Sequence, residues 1–434
     1  MNMYLAEVIQ HLPTAKYRGG RPSQPAVIAV EGITTDPASV RPGVLFVATP
    51  EGRRRNPFQA HAAARRGAAA VICDSKESRD GGTPAIEVTD TLAAYDRLAS
   101  LFHGDPASKL FHFIVTGGER RVVAAHFLYQ LIEAAGHRAA FLGSRSCIID
   151  GRELPSPASS LNSSEFHRLL AAHLRSGGRA CIFETPNEAA PASVPPSITI
   201  RVRLTDRPGP AAALRSVRCS LKGTQIMVTT GSTRQTLMTS LVGEGNIAAL
   251  ASAFDAALQA GTSPVALLDA LPNVTPLPGV MQRVDRNGPF AVFVDSASTP
   301  ESLASILREL RLLTSGRVIV VTGVRPTHAP SVRIEMGRSA SLADFAIFTA
   351  DDPGYESVVD LNRPALASLR QGEYQVETNR STAIRTAFAM AHTGDIVVLA
   401  GKGLSRTQDC EGSIVPWNES QLAARILAGF SARI

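Results

Sequence analysis

The sequence has no apolar run approaching the roughly 20 residues that a membrane-spanning helix requires, which argues against a helical anchor. Its opening stretch, MNMYLAEVIQHLPTAKYRGG, lacks a basic start followed by an apolar core. No secretory signal is therefore expected, and a cytoplasmic location is the default. Cysteine is sparse: Cys73, Cys147, Cys181, Cys219 and Cys410 stand far apart and form no C-x-x-C. Neither a metal nor a disulfide framework is expected, only free, partly buried thiols. Aromatic residues make up 5% of the chain, with a single Trp, and no basic stretch is interleaved with them. The net charge of +6 comes mostly from scattered arginines, apart from Arg53-Arg54-Arg55 and Arg120-Arg121. That pattern reads as a solvated basic face and speaks against nucleic-acid binding. No internal repeat or low-complexity tract is visible.

What is present is an ordinary globular composition, 44% hydrophobic and 19% charged, in 434 residues. That length is too great for one core and predicts two to four domains, by the rough figure of 100–200 residues per domain. Residues 1–108 read as a small α/β domain, with strands over 27–30, 44–48, 69–73 and 84–88 and a helix over 60–66 stopped by Gly67. A further helix over 91–102 has Asp90 as its N-cap. Residues 109–275 form a second domain: strand 113–115, glycine turn, helix closed by Gly136, and strand 139–142. A Pro- and Ser-rich loop over 151–160, a helix over 163–175 and a strand ending at Glu184 follow. Four strands between 198 and 241 are expected on the far edge of the same sheet. Residues 276–434 alternate strands with helices regularly enough to predict a doubly wound parallel sheet.

The second domain opens as the βαβ unit in which nucleoside-triphosphate enzymes place a phosphate loop. A working loop needs G-x-x-x-x-G-K-[ST], so that backbone N–H groups cradle phosphates, Lys reaches the terminal ones and a hydroxyl holds Mg²⁺. Here the stretch reads Thr116-Gly117-Gly118-Glu119-Arg120-Arg121-Val122-Val123.

Several stretches in order resemble the Mur ligase family, within it the branch of UDP-N-acetylmuramoyl-tripeptide synthetases. Val40-Arg41-Pro42-Gly43-Val44-Leu45-Phe46-Val47-Ala48 and Arg66-Gly67-Ala68-Ala69-Ala70-Val71 are similar to its uridine-nucleotide domain. Val115-Thr116-Gly117, Gln130 to His137, Glu165 to Leu170 and Phe183-Glu184 resemble its ATPase domain. Asp295, Thr299-Pro300, Asp351-Asp352-Pro353 and Gly401-Lys402-Gly403 resemble landmarks of its C-terminal domain. The resemblance implies a three-domain α/β fold, with a central P-loop-type doubly wound sheet and a Rossmann-like C-terminal domain. The implied chemistry is an acyl-phosphate made from a carboxylate and ATP, then attacked by an amine.

Carried over residue by residue, Thr116, Gly117, Gly118, Arg121, Asn246, Asp295 and Arg333 match nucleotide-site positions. Asp36, Ser159, Ser160, Asp351 and Asp352 match substrate positions, and Glu184 and Lys402 match catalytic ones. Many ligand groups have changed. The uridine contact Asp-Ser-Arg is Asp36-Pro37-Ala38, and Arg120, Arg121 and Val122 replace the loop's second glycine, lysine and magnesium hydroxyl. Ser298 stands for a His, Gly354 for the substrate-reading Arg, and the segment bearing a carbamylated lysine is absent. Scaffold positions such as Pro42-Gly43, Gly67, Gly136, Thr299-Pro300 and Asp352-Pro353 remain. Scaffold kept and ligand groups lost predicts a catalytically impaired homologue, a pseudoenzyme that binds a UDP-muramyl precursor or another cell-wall enzyme. The alternative is a divergent ATP-dependent ligase adding an amino acid to a UDP-MurNAc-peptide or a related carboxylate. In it Arg121 stands in for the lysine and Glu184 holds a metal; ATP and Mg²⁺ are cofactors only on that alternative.

Overall fold

Short β-branched runs alternating with amphipathic stretches give parallel sheets covered by helices. The computed structural model describes residues 3–12, 14–19, 24–75, 82–118, 120–144, 146–154, 162–185, 199–204, 213–285 and 288–431. The chain divides into two compact units, one of Met1–Ala125 with Ile132–Arg203, the other of His126–Leu131 with Leu204–Ile434.

The first unit carries two of the main sheets. A five-stranded sheet runs in the order Lys16–Tyr17, Ala85–Glu87, Ala70–Cys73, Val44–Val47 and Gly32–Thr34. Its last four strands are parallel. Leu45, Val47, Ile72 and Ile86 bury one face of this sheet with Tyr95, Leu98 and Phe102 of the helix Thr91–Phe102. Asp90 caps that helix as expected, accepting from the amides of Leu92 and Ala93. The strand expected over 27–30 shrinks to Ala29–Val30, because Pro25 starts a 3₁₀ turn ahead of it.

The other sheet of this unit runs Arg152–Leu154, Cys147–Ile149, Ala139–Leu142, Ala180–Glu184, Phe111–Gly117, Thr199–Leu204. Residues 152–154, expected in a loop, instead pair as a strand with Cys147–Ile149. The cause is Asp150-Gly151, both at positive φ (52° and 72°), the Asp-Gly pair of a tight hairpin. Ala180–Glu184 lies parallel to Phe111–Gly117 with Glu184 opposite Val115. Both strands therefore end at the carboxyl edge, where open α/β sheets bind ligands.

In the second unit, three of the four strands expected on the edge of that sheet form a sheet of their own. Leu214–Ser220, Gly223–Thr230 and Thr233–Thr239 make an antiparallel meander, and only Thr199–Leu204 joins the larger sheet. Two-residue connections let consecutive strands pair with each other, so no crossover back to a parallel sheet is needed. The helix Glu244–Gln259 packs on one face of this meander.

The C-terminal sheet runs Gln282–Arg283, Ala291–Asp295, Ile396–Ala400, Val318–Thr322, Phe345–Phe348, Tyr374–Val376, parallel except for the first strand. Leu303, Leu307 and Leu310 cover one face, and Ile384, Phe388 and Ile426 the other. This is the doubly wound arrangement read from the sequence. Before two of its strands, buried Asp395 accepts from the amides of Arg317 and His392 and from the Arg317 guanidinium, all within 3.1 Å. Burial alone would raise its pKa, but the Arg317 and His392 donors outweigh it and hold the carboxyl below its usual range. A depressed folded pKa adds stability that is present above the unfolded value, about 3.9, and is lost as pH falls through the folded one. Asp395→Asn should cost about 1–3 kcal/mol at pH 7. Denaturant melts of variant and parent should converge as the pH is lowered towards 2, and an equal gap at both extremes would contradict this account.

Candidate nucleotide-type site

The site begins with Thr116, buried at the end of its strand, and Gly117, whose φ of +118° is costly for any side chain. A Cβ built on Gly118 would meet nothing within 4 Å. The helix Arg121–Ala134 then starts with the Arg120 carbonyl accepting from the amides of Val123 and Ala124. Arg120 thus stands at the cap position with no carboxylate or hydroxyl to offer, and two cations sit at the positive end of a helix dipole.

Arg121 turns its guanidinium into the sheet edge. Its Nε lies 2.5 Å from Glu184 Oε1, its Nη1 donates to the Gly118 carbonyl, and the Glu184 carboxylate side chain has no solvent exposure. The second carboxylate oxygen accepts from the Ser144 amide at 2.6 Å. The Glu184 carboxylate is therefore already neutralised by Arg121. Val122 and Val123 offer no hydroxyl, and among the described residues no cluster of three His, Cys, Asp or Glu could hold a metal ion. These residues do not fit a Mg²⁺–nucleotide pair.

The C-terminal positions form a second cluster. Gly401 and Gly403 are dictated by close approach: a Cβ would lie 2.6 Å from Asp351 Oδ2 at the first and 1.9 Å from the Gly279 carbonyl at the second. Between them, fully buried Lys402 donates at 2.6 Å to both Asp352 Oδ1 and the Thr407 carbonyl. Asp351, 1% exposed, faces Arg325 Nε at 3.0 Å, while Arg325 Nη2 donates to the Gly401 carbonyl. Asp295 accepts from the amides of Met281 and Ala297 and holds its turn. Arg333 donates to the carbonyls of Pro326 and His328, tying down the loop before its own helix.

The remaining described positions are engaged locally. Asp36 caps a 3₁₀ turn, and the Ser39 hydroxyl and Ala38 amide hold its carboxyl below the usual range. Asn246 is buried and donates to the Val242 carbonyl one turn back. Ser159 and Ser160 lie outside the described residues. His126 and His167 serve in packing: burial pushes His126 down to about 4, and His167 is fully buried 3.3 Å from Asp96. Arg325 was not singled out by sequence, since one arginine after a Gly-Val pair carries no signal.

Residues 281–403 match the family "Mur ligase, glutamate ligase domain". Over 475 aligned residues the chain is 26% identical to a UDP-N-acetylmuramoyl-L-alanyl-D-glutamate–2,6-diaminopimelate ligase of Solibacter usitatus, covering 94% of this chain and 96% of the relative. A ligase of the same name from Streptomyces avermitilis is 26% identical, covering 90% and 91%. Among solved structures, one such diaminopimelate ligase superposes with a TM-score of 0.62 at 20% identity, covering 100% of this chain and 99% of the other. MurF of Thermotoga maritima, solved with ADP, superposes with a TM-score of 0.57 at 12% identity, covering 93% and 98%. The chain has the α/β fold of the Mur ligases, matches their glutamate ligase domain over residues 281–403, and is similar over most of its length to diaminopimelate ligases.

Proposed function

We propose that this Mur-ligase homologue serves peptidoglycan-precursor metabolism in the cytoplasm as a binding or scaffold protein and does not ligate autonomously. The observation that carries the reading is the Arg121–Glu184 pair: the residue that the resemblance aligns with the family's phosphate-binding lysine has its guanidinium committed to a buried carboxylate. Arg is a rigid fork and not a compact point charge, so it does not replace the lysine conservatively. Losing one preorganised transition-state contact costs on the order of 3 kcal/mol, and here phosphate and metal contacts are lost together. Arg325 on Asp351 and Lys402 on Asp352 repeat the pattern on the acceptor side, where internal cations hold the carboxylates that match substrate positions. The relatives' names point to a UDP-MurNAc-peptide as the small-molecule partner; a second cell-wall enzyme is the protein alternative.

Isothermal titration of the full chain with ATP, with and without Mg²⁺, should give no heat at millimolar nucleotide. Turnover of ATP to ADP in the presence of a UDP-muramyl dipeptide and an amino acid would overturn the proposal in favour of a divergent ligase.

A further inference from the structure

The antiparallel meander has two unlike faces. One packs on the helix Glu244–Gln259 and buries Leu214, Ile226 and Val228. On the other, strand register places Arg215 beside Met227, Arg218 and Met238 on either side of Gln225, and Arg234 beside Thr229. Val217, at the irregularity between Ser216 and Arg218, is like Met238 54% exposed. An antiparallel sheet face open to water is ordinary, but its usual dress is a mixture of charges of both signs. From Leu214 to Gly243 there is no Asp or Glu, while Arg215, Arg218, Lys222 and Arg234 are all cationic. Arginine and methionine with few acids or lysines is the composition of protein interfaces.

We propose that this face docks an acidic protein surface that carries an exposed apolar side chain. Arg218 and Arg234 supply bidentate partners for carboxylates, and Met238 supplies an apolar contact beside them. A single-stranded nucleic acid is the competing occupant of a basic sheet, but it binds by stacking bases on aromatic rings. The segment from Leu214 to Gly243 contains no aromatic residue. The inference stands apart from the proposed loss of ligation, since none of these residues belongs to the nucleotide-type site.

The test uses the full chain and a fluorescent peptide alternating Glu with Val and Leu, with a single-stranded oligonucleotide of equal charge as competitor, at physiological salt. Peptide binding should fall at least tenfold in Arg218→Glu/Arg234→Glu and several-fold in Met238→Ser, with thermal melts unchanged. The oligonucleotide should bind at least tenfold more weakly than the peptide. Absence of peptide binding, or binding indifferent to these substitutions, overturns the proposal. Equal binding of the oligonucleotide, lost in the same variants, overturns it in favour of a nucleic-acid face.

Discussion

Replacing Arg380 by Ala should destabilise the C-terminal domain by about 3–5 kcal/mol, the cost of leaving one buried charge without its partner. Arg380 and Glu419 side chains are 1% and 0% exposed, and two guanidinium nitrogens meet Glu419 Oε1 at 2.7 and 2.9 Å. The same guanidinium donates to the carbonyls of Ala350 and Ala400, next in sequence to Asp351 and Gly401. Trp417 Nε1 completes the web by donating to Glu419 Oε2 at 2.6 Å. Burial works against the Arg380 charge, but Glu419 outweighs it and the guanidinium stays protonated. Glu419→Gln keeps one acceptor oxygen for Arg380 but turns an amide N–H on the Trp417 Nε1–H and removes the counter-charge, so it too should destabilise. The double variant Arg380→Met/Glu419→Leu should recover most of the loss, because well-packed apolar residues replace a buried pair at little cost. Denaturant unfolding followed through Trp417 measures all three. Equal losses in the single and double variants would show that shape, not charge pairing, sets the stability.

Elements with strong local chemistry were legible in the sequence. The helix over 163–175 stands where periodicity puts it, and Thr299 caps its helix ahead of Pro300. The Asp150-Gly151 hairpin was also written there, as a turn pair after an apolar run, but the neighbouring proline-rich stretch hid it. The separate meander was not legible in the same way. Strand propensity identifies strands but says nothing about which sheet accepts them. At the site, the kept glycines and acids include segments that the fold brings together, Gly401-Lys402-Gly403 beside Asp351-Asp352. What each side chain does there was out of reach, because an arginine aimed at phosphate and one aimed at Glu184 read identically in sequence. The retained Gly401-Lys402-Gly403 shows the same limit: backbone approach to Asp351 and Gly279 explains both glycines without any ligand.

Rebuilding the loop with Arg120→Gly, Arg121→Lys and Val122→Thr should bring nucleotide binding back from undetectable at millimolar concentration to roughly 0.1 mM or tighter. The Gly reopens the close approach of backbone N–H groups to phosphate, the Lys carries a compact charge free to leave Glu184, and the Thr returns a hydroxyl for Mg²⁺. Two regained charge-assisted contacts at about 1.5–3 kcal/mol each amount to at least a hundredfold in affinity. The lysine also keeps a cation near Glu184, so the rebuilt chain should remain folded. Arg121→Ala alone is the control. It leaves the Glu184 carboxylate buried without a counter-charge and should lose about 2–4 kcal/mol of stability while gaining no nucleotide affinity. Titration calorimetry with ADP and Mg²⁺, beside denaturant melts, separates the two effects. If the triple variant folds and still binds nothing, the block lies outside the loop and the Arg121–Glu184 pair is a consequence of the loss, not its cause. Binding by Arg121→Ala alone would mean that the guanidinium is the whole obstruction, and that the backbone of the loop never lost its shape for phosphate.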